Sequence, residues 1–217
     1  MLDPRLLRLM IVTSGMLAPG HGHCALADAA IDGGATAVQL RAPELSDPEL
    51  LPLAAELADR CASHGVLFIV NDRLEVAIAS RADGVHLGQS DDLVGARERL
   101  GSDRALGISV AGPSQARAAR AMGADYLGVT VWSTPTKPEA SGRGPAGIGD
   151  VHRAVPIPVV GIGGINGENL GEVFDAGASG IAVISAVAGA ADPETATRHL
   201  RALIDRREAG PRGATNR

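Results

Sequence analysis

Short runs of aliphatic and β-branched residues alternate along this chain with longer stretches whose apolar positions recur every three or four residues. The runs predict strands over 9–14 (LMIVTS), 37–41 (AVQLR), 67–72 (LFIVND), 84–88 (GVHLG), 105–109 (ALGIS), 126–131 (YLGVTV), 158–164 (PVVGIGG) and 180–185 (GIAVIS). The stretches between them carry helix grammar. DPELLPLAAELADRCASHG opens with Asp47 as cap and Pro48 in the first turn, and it closes on Gly65. PSQARAARAMG and DPETATRHLRALIDRRE follow the same pattern.

A repeat overlies the alternation. GGATAVQL, RADGVHLG, GADYLGV and GASGIAVI each lead from a helix end into every second strand, at intervals of roughly 40–55 residues, the length of a βαβα unit. Eight strands, each followed by a helix or loop, predict an α/β chain closed as a (β/α)8 TIM barrel, with an open doubly wound sheet as the alternative. No linker interrupts the pattern, so a single domain is assigned to 1–207. The Gly- and Pro-containing EAGPRGATNR at 208–217 reads as a disordered tail.

Composition narrows the classes. Hydrophobic residues make up 45% of the 217 positions and aromatics only 2%, so an ample core must be packed by Ala, Val, Leu and Ile. A net charge of −5 without a basic block argues against nucleic acid or an anionic membrane surface as partner. Cys24 and Cys61 form no disulfide framework. No apolar run approaches the ~18 residues of a membrane span, and MLDPRLLRLMIVTSG is too short and too charged for a signal peptide. A cytoplasmic protein acting on small molecules is expected, and a homo-oligomer is compatible with the sequence.

In a parallel barrel the carboxyl ends of all strands meet on one rim, where active sites lie. FIVND (68–72) and HLGQSDD (86–92) both turn from apolar to acidic at that rim, which would bring Asp72 and Asp91 from neighbouring strands. Two carboxylates without a Cys/His set suit Mg²⁺, which completes its shell with water and phosphate oxygens. Helix capping by either aspartate is the competing reading. Gln39 and Arg41 share a face by alternation, and an inward Arg at a strand end calls for an anion. Asn71, Gln89 and Ser109 add polar groups from the third, fourth and fifth strands.

The sixth loop, WSTPTKPEASGRGPAG, offers Thr134, Thr136 and Lys137 between prolines, the makings of a phosphate clamp. Lys137 is the single lysine beside nineteen arginines, which suggests a task for a compact ammonium on a flexible stem. Gly163 and Gly164 let backbone N–H groups approach an oxyanion, and Ser185 with the amide of Ala186 does the same after the last strand. HGHC (21–24) lacks a second pair of ligands at zinc-like spacing and reads as a loop that lends a histidine to the rim. His86 reads as a core residue of the fourth strand.

The quoted segments QLR, VND, ADGVHLGQSD, GIS, GADYLGV, TPTKP, VVGIGGI and VISAV occur in order and at barrel spacing, and together they resemble the thiamine phosphate synthase family. The resemblance implies a TIM-barrel transferase joining 4-amino-2-methyl-5-hydroxymethylpyrimidine diphosphate to a thiazole phosphate. It implies Asp72 and Asp91 as Mg²⁺ ligands with Asn71 nearby, and Arg41 and Lys137 on diphosphate oxygens. Gln39 and Ser109 would meet the aminopyrimidine, with Arg41, Lys137 and Ser109 closest to the chemistry. Thr134, Thr136, Gly164, Ser185 and Ala186 would hold the thiazole phosphate. Two places depart from the family pattern: Pro43 stands where a lysine is usual, and GVTVW is one residue shorter than the family's GVGPVW. The alternatives are a non-catalytic barrel that binds pathway phosphates and the related thiazole tautomerase, whose catalytic histidine would fall near Ala111.

Overall fold

The computed structural model describes residues 2–14, 22–89, 91–133 and 142–210. Its strands are β1 (Leu9–Val12), β2 (Ala37–Leu40), β3 (Leu67–Asn71), β4 (Gly84–Leu87), β5 (Ala105–Ser109), β6 (Tyr126–Thr130), β7 (Val159–Ile162) and β8 (Gly180–Val183). All pair in parallel, each with its sequence neighbour, and β8 closes on β1. This is a single (β/α)8 barrel. The helices are α1 (His23–Asp32), α2 (Asp47–His64), α3 (Leu74–Ala79), α4 (Ala96–Leu100), α5 (Pro113–Ala121), α6 (Gly144–Ala154), α7 (Leu170–Asp175), α8 (Ser185–Ala188) and α9 (Pro193–Glu208). None of them is long and apolar enough to cross a membrane.

The hydrophobic residues separate into two layers because alternate side chains of each strand point to opposite faces. Met10, Val12, Leu67, Ile69, Val160 and Ala182 fill the lumen. Ile11, Val38, Phe68, Val85, Leu106 and Ile181 pack outward against the helices. A 3₁₀ turn at Pro4–Leu7 inserts Leu7 beneath the strands, where it is fully buried in the lumen layer.

The repeat has a physical basis at the amino-terminal end. The residue just before each even strand is Thr36, Asp83, Asp125 or Ser179. The Leu9 N–H donates to Thr36 Oγ1 at 2.9 Å, the Phe68 N–H to the Asp83 carboxylate at 2.8 Å and the Leu106 N–H to the Asp125 carboxylate at 2.9 Å. Each satisfies a donor at the start of an odd strand that the ladder leaves open. In the fourth copy Ser179 N–H donates to Val159 O at 2.7 Å, the backbone bond that Thr36 and Asp125 also make, to Leu9 O and Leu106 O. Asp125 also receives Arg97 Nη2 at 2.5 Å, and the same guanidinium donates to the carbonyls of Gly101, Arg104 and Gly123.

Three local expectations change. The cap of α2 is Ser46 rather than Asp47, in a reciprocal box in which Ser46 N–H donates to Glu49 Oε2 at 2.9 Å. The strands are shorter than their apolar runs, because residues such as Ser14 and Gly163–Gly164 leave the ladder to enter loops. Glu208, assigned to the tail, closes α9 and pairs with Arg8. Residues 211–217 of that tail lie outside the described residues.

Asp125→Ala removes an acceptor shared by a strand end and Arg97. We expect a loss of about 2–3 kcal/mol of stability, the cost of breaking charge-assisted hydrogen bonds and leaving their partners half-buried. Urea unfolding of this variant against the parent measures it, and an unchanged midpoint contradicts the assigned role.

Candidate active site

At the carboxyl ends of the strands a cleft of about 910 Å³, part of it open to solvent, enters the barrel. Gln39, Arg41, Asn71, Ser109, Gly164 and Ser185 all line it. Six residues expected at the rim thus converge from β2, β3, β5, β7 and β8.

Gln39 is buried, with its amide nitrogen 3.2 Å from Met10 Sδ. Arg41 follows two residues later, at the mouth. Among the described residues no carboxylate or carbonyl engages its guanidinium. Its backbone is held instead: Arg41 N–H donates to Thr13 Oγ1 at 3.3 Å, and Thr13 N–H donates to Gln39 O at 2.8 Å. His23 completes this knot with Nδ1 2.8 Å from Thr13 Oγ1 and Nε2 3.5 Å from Glu44. His23, the first residue of α1, is thus the described histidine that reaches Thr13 at the rim, from a helix rather than the expected loop; His21 lies outside the described residues.

Deeper in the cleft lies a group that strand reading had placed in the core. His86 Nε2 sits 2.9 Å from Ser109 Oγ, and Nδ1 sits 3.0 Å from Tyr126 Oη. The three side chains form a column from the rim toward the middle of the lumen. Tyr126 is fully buried, and burial, reinforced by the Asp125 charge, pushes its phenol well above the usual range. Glycines on neighbouring strands make the space. A Cβ on Gly107 would come within 2.2 Å of the Tyr126 ring and 2.5 Å of His86 Nδ1. One on Gly128 would come within 2.8 Å of His86 Cε1. The missed signal was parity: His86 pairs in register with Asn71 and Gly107, so it shares the inward face that Asn71 and Ser109 occupy.

The opposite wall is built for close backbone approach. Gly163 and Gly164 have φ of 92° and 67°, and a Cβ on Gly164 would meet the Trp132 Cβ at 2.9 Å. Asn169 Nδ2 donates to Gly164 O at 2.9 Å and holds the turn. Ser185 opens α8 at the cleft. Ala186, one residue on, packs against the outer layer rather than lining the cleft.

Asp72 and Asp91 flank the cleft without lining its wall. Neither caps a helix, since Arg73 precedes α3 and Gly95 precedes α4. Asp72 is one of two described non-glycine residues with positive φ, at 64°, and its N–H donates to His86 O at 2.8 Å. The Asp91 carboxylate accepts the Gly88 N–H at 2.5 Å and so folds back over the end of β4. Among the described residues no group of three or more His, Cys, Asp or Glu gathers around a common point. A cation held by these two aspartates would draw its other ligands from water and substrate oxygens, the habit of Mg²⁺. Arg73, next to Asp72, is paired with Asp47 at 3.1 Å. Thr134, Thr136 and Lys137 lie outside the described residues.

Residues 9–187 match the family model described as thiamine monophosphate synthase. The chain is 47% identical to a thiamine-phosphate synthase of Chloroflexus aurantiacus over 199 residues, covering 91% of this chain and 92% of that one. It is 45% identical to one from Moorella thermoacetica, covering 91% and 96%. Among solved structures, a thiamine phosphate pyrophosphorylase from Pyrococcus furiosus superposes with a TM-score of 0.86 at 38% identity, over 94% of this chain and 98% of that one.

Gly128→Ala tests the packing around the imidazole. The added methyl must displace His86 from Ser109, so we expect a destabilisation of about 1–3 kcal/mol, the usual cost of overpacking a filled core. Chemical denaturation reads it directly. A variant as stable as the parent contradicts the tight placement of His86.

Proposed function

The chain belongs to the thiamine monophosphate synthase family, whose members are transferases of thiamine biosynthesis, and from that membership we propose a specific reaction for it. It joins 4-amino-2-methyl-5-hydroxymethylpyrimidine diphosphate to 4-methyl-5-(2-hydroxyethyl)thiazole phosphate, with Mg²⁺, and yields thiamine phosphate and diphosphate. The observation that carries this reading is the convergence of Gln39, Arg41, Asn71, Ser109, Gly164 and Ser185 on one cleft, with the Arg41 guanidinium uncompensated among the described residues.

The chemistry is a dissociative displacement. The C–O bond to the diphosphate breaks, both electrons leave with oxygen, and the pyrimidine ring delocalises the positive charge on its exocyclic carbon. The thiazole nitrogen then supplies the electron pair for the new C–N bond. No general base is required. The protein must neutralise the leaving group and hold the two rings in line.

Each residue has a place in that scheme. Arg41 lies at the mouth, where its forked donors suit diphosphate oxygens. Lys137 is assigned to the same oxygens. Gln39 and Ser109 reach the aminopyrimidine deeper in the lumen, and Asn71 stands between it and the acidic edge. Gly163, Gly164 and the start of α8 face the thiazole phosphate with backbone donors, assisted by Thr134 and Thr136. Mg²⁺, when held by Asp72 and Asp91, supplies positive charge to the departing diphosphate.

The direct test is a coupling assay with the two substrates, with Mg²⁺ and with EDTA. Thiamine phosphate should form only with the metal; product formation that is indifferent to EDTA overturns the metal assignment. Asp91→Asn should lower kcat by at least about tenfold with the thermal midpoint within a few degrees of the parent, as expected for a rim charge that acts on the transition state. Lys137→Ala should lose rate without losing stability. Wild-type turnover in it removes Lys137 from the leaving-group site.

A further inference from the structure

The column Tyr126–His86–Ser109 has a polarity that its geometry decides. Tyr126 Oη is fully buried, and among the described residues its hydrogen-bond partner is His86 Nδ1 at 3.0 Å. A buried phenol that keeps its proton must donate it, because an unsatisfied donor in an apolar lumen is costly. Nδ1 is then the acceptor and carries no proton. Neutral imidazole has one N–H, so that proton sits on Nε2. Nε2 is 2.9 Å from Ser109 Oγ and therefore donates to it. With its oxygen accepting from below, Ser109 turns its own hydrogen toward the cleft it lines.

We propose that Tyr126 and His86 are positioning residues that fix Ser109 as a hydrogen-bond donor to the substrate, so that the atom it reads is an acceptor, an unprotonated ring nitrogen. The identity of the ring rests on the coupling reaction proposed above; the polarity of the column does not. A serine hydroxyl on its own rotates freely and serves donors and acceptors alike. Anchored from a phenol outside the reach of solvent, this one presents a single face. The space for that anchor is reserved by Gly107 and Gly128, whose missing side chains clear the imidazole and the phenol.

Two measurements on Tyr126→Phe test the proposal. The first uses ¹⁵N-histidine NMR of the full chain without substrate, with the His86 signals assigned by their loss in His86→Gln. Wild-type His86 should carry its proton on Nε2 alone, and Tyr126→Phe should shift the tautomer balance toward Nδ1. A proton on Nδ1, on both nitrogens, or a spectrum unaffected by Tyr126→Phe overturns the proposal. This arm needs no turnover, so it decides the column even if the chain makes no thiamine phosphate, a result that would count against the coupling reaction instead. The second arm is a double-mutant cycle on kcat/KM. Tyr126→Phe should cost about tenfold, the worth of one net hydrogen bond, in the Ser109 parent and nothing further in Ser109→Ala. Equal losses in both backgrounds mean that Tyr126 acts by packing alone, and overturn it.

Discussion

One imidazole inside the barrel constrains three strands at once. The lumen of an eight-stranded barrel is only wide enough for packed side chains. His86 enters it from β4 and spans toward β5 and β6, touching Ser109 on one and Tyr126 on the other. The strands answer with glycine: Gly107 beside it and Gly128 above Tyr126. The outward positions of the same strands are Val85, Leu87, Leu106, Ile108, Leu127 and Val129, all buried against helices. The odd appearance of GVHL, ALGIS and YLGVT, with glycine inside sound strands, follows from this division. Inward space is needed for polar rings, and outward bulk is needed for the core.

The two ends of the barrel do different work. Below, Asp83, Asp125 and Thr36 close strand ends, Arg97 gathers three carbonyls and Leu7 plugs the lumen. These contacts are partly or wholly buried and hold the strands in register. Above, the chain accepts features that a purely stabilising design would avoid: a left-handed aspartate at 72, paired positive-φ glycines at 163 and 164, and an arginine without a carboxylate partner among the described residues. Each is tolerated because the lower end supplies the stability.

The barrel was legible because its signals are repeated. Eight apolar runs with helix grammar between them leave little choice of topology, and the fourfold repeat turns out to mark strand-end hydrogen bonds at Thr36, Asp83 and Asp125. Single-residue signals were less reliable. Asp47 looked like a cap as much as Ser46 did, and only the reciprocal bond with Glu49 separates them. Asp72 and Asp91 read equally as caps or ligands, because capping depends on where the helix starts, and α3 and α4 start later than the sequence suggests. His86 was hidden for a different reason. A histidine in an apolar strand has no local mark of facing a lumen; the mark is non-local, in its register with Asn71 and Gly107.

Arg41 shows how the polar rim stays ordered without consuming its own charge. Among the described residues its guanidinium meets no carboxylate that could position the side chain. Position comes from the backbone instead. Thr13 accepts the Arg41 N–H and donates its own N–H to Gln39 O, while His23 holds the Thr13 hydroxyl from α1. Three elements thus pin one peptide unit, and Pro43 restrains the chain two residues on, its ring limiting the preceding backbone as well. A cation restrained at its root and, among the described residues, unpaired at its tip loses little entropy when an oxyanion arrives and has no ion pair there to give up. That arrangement is economical only in a site whose ligand is anionic, and it is the strongest electrostatic reason to place a diphosphate at this mouth rather than at the glycine-lined wall opposite.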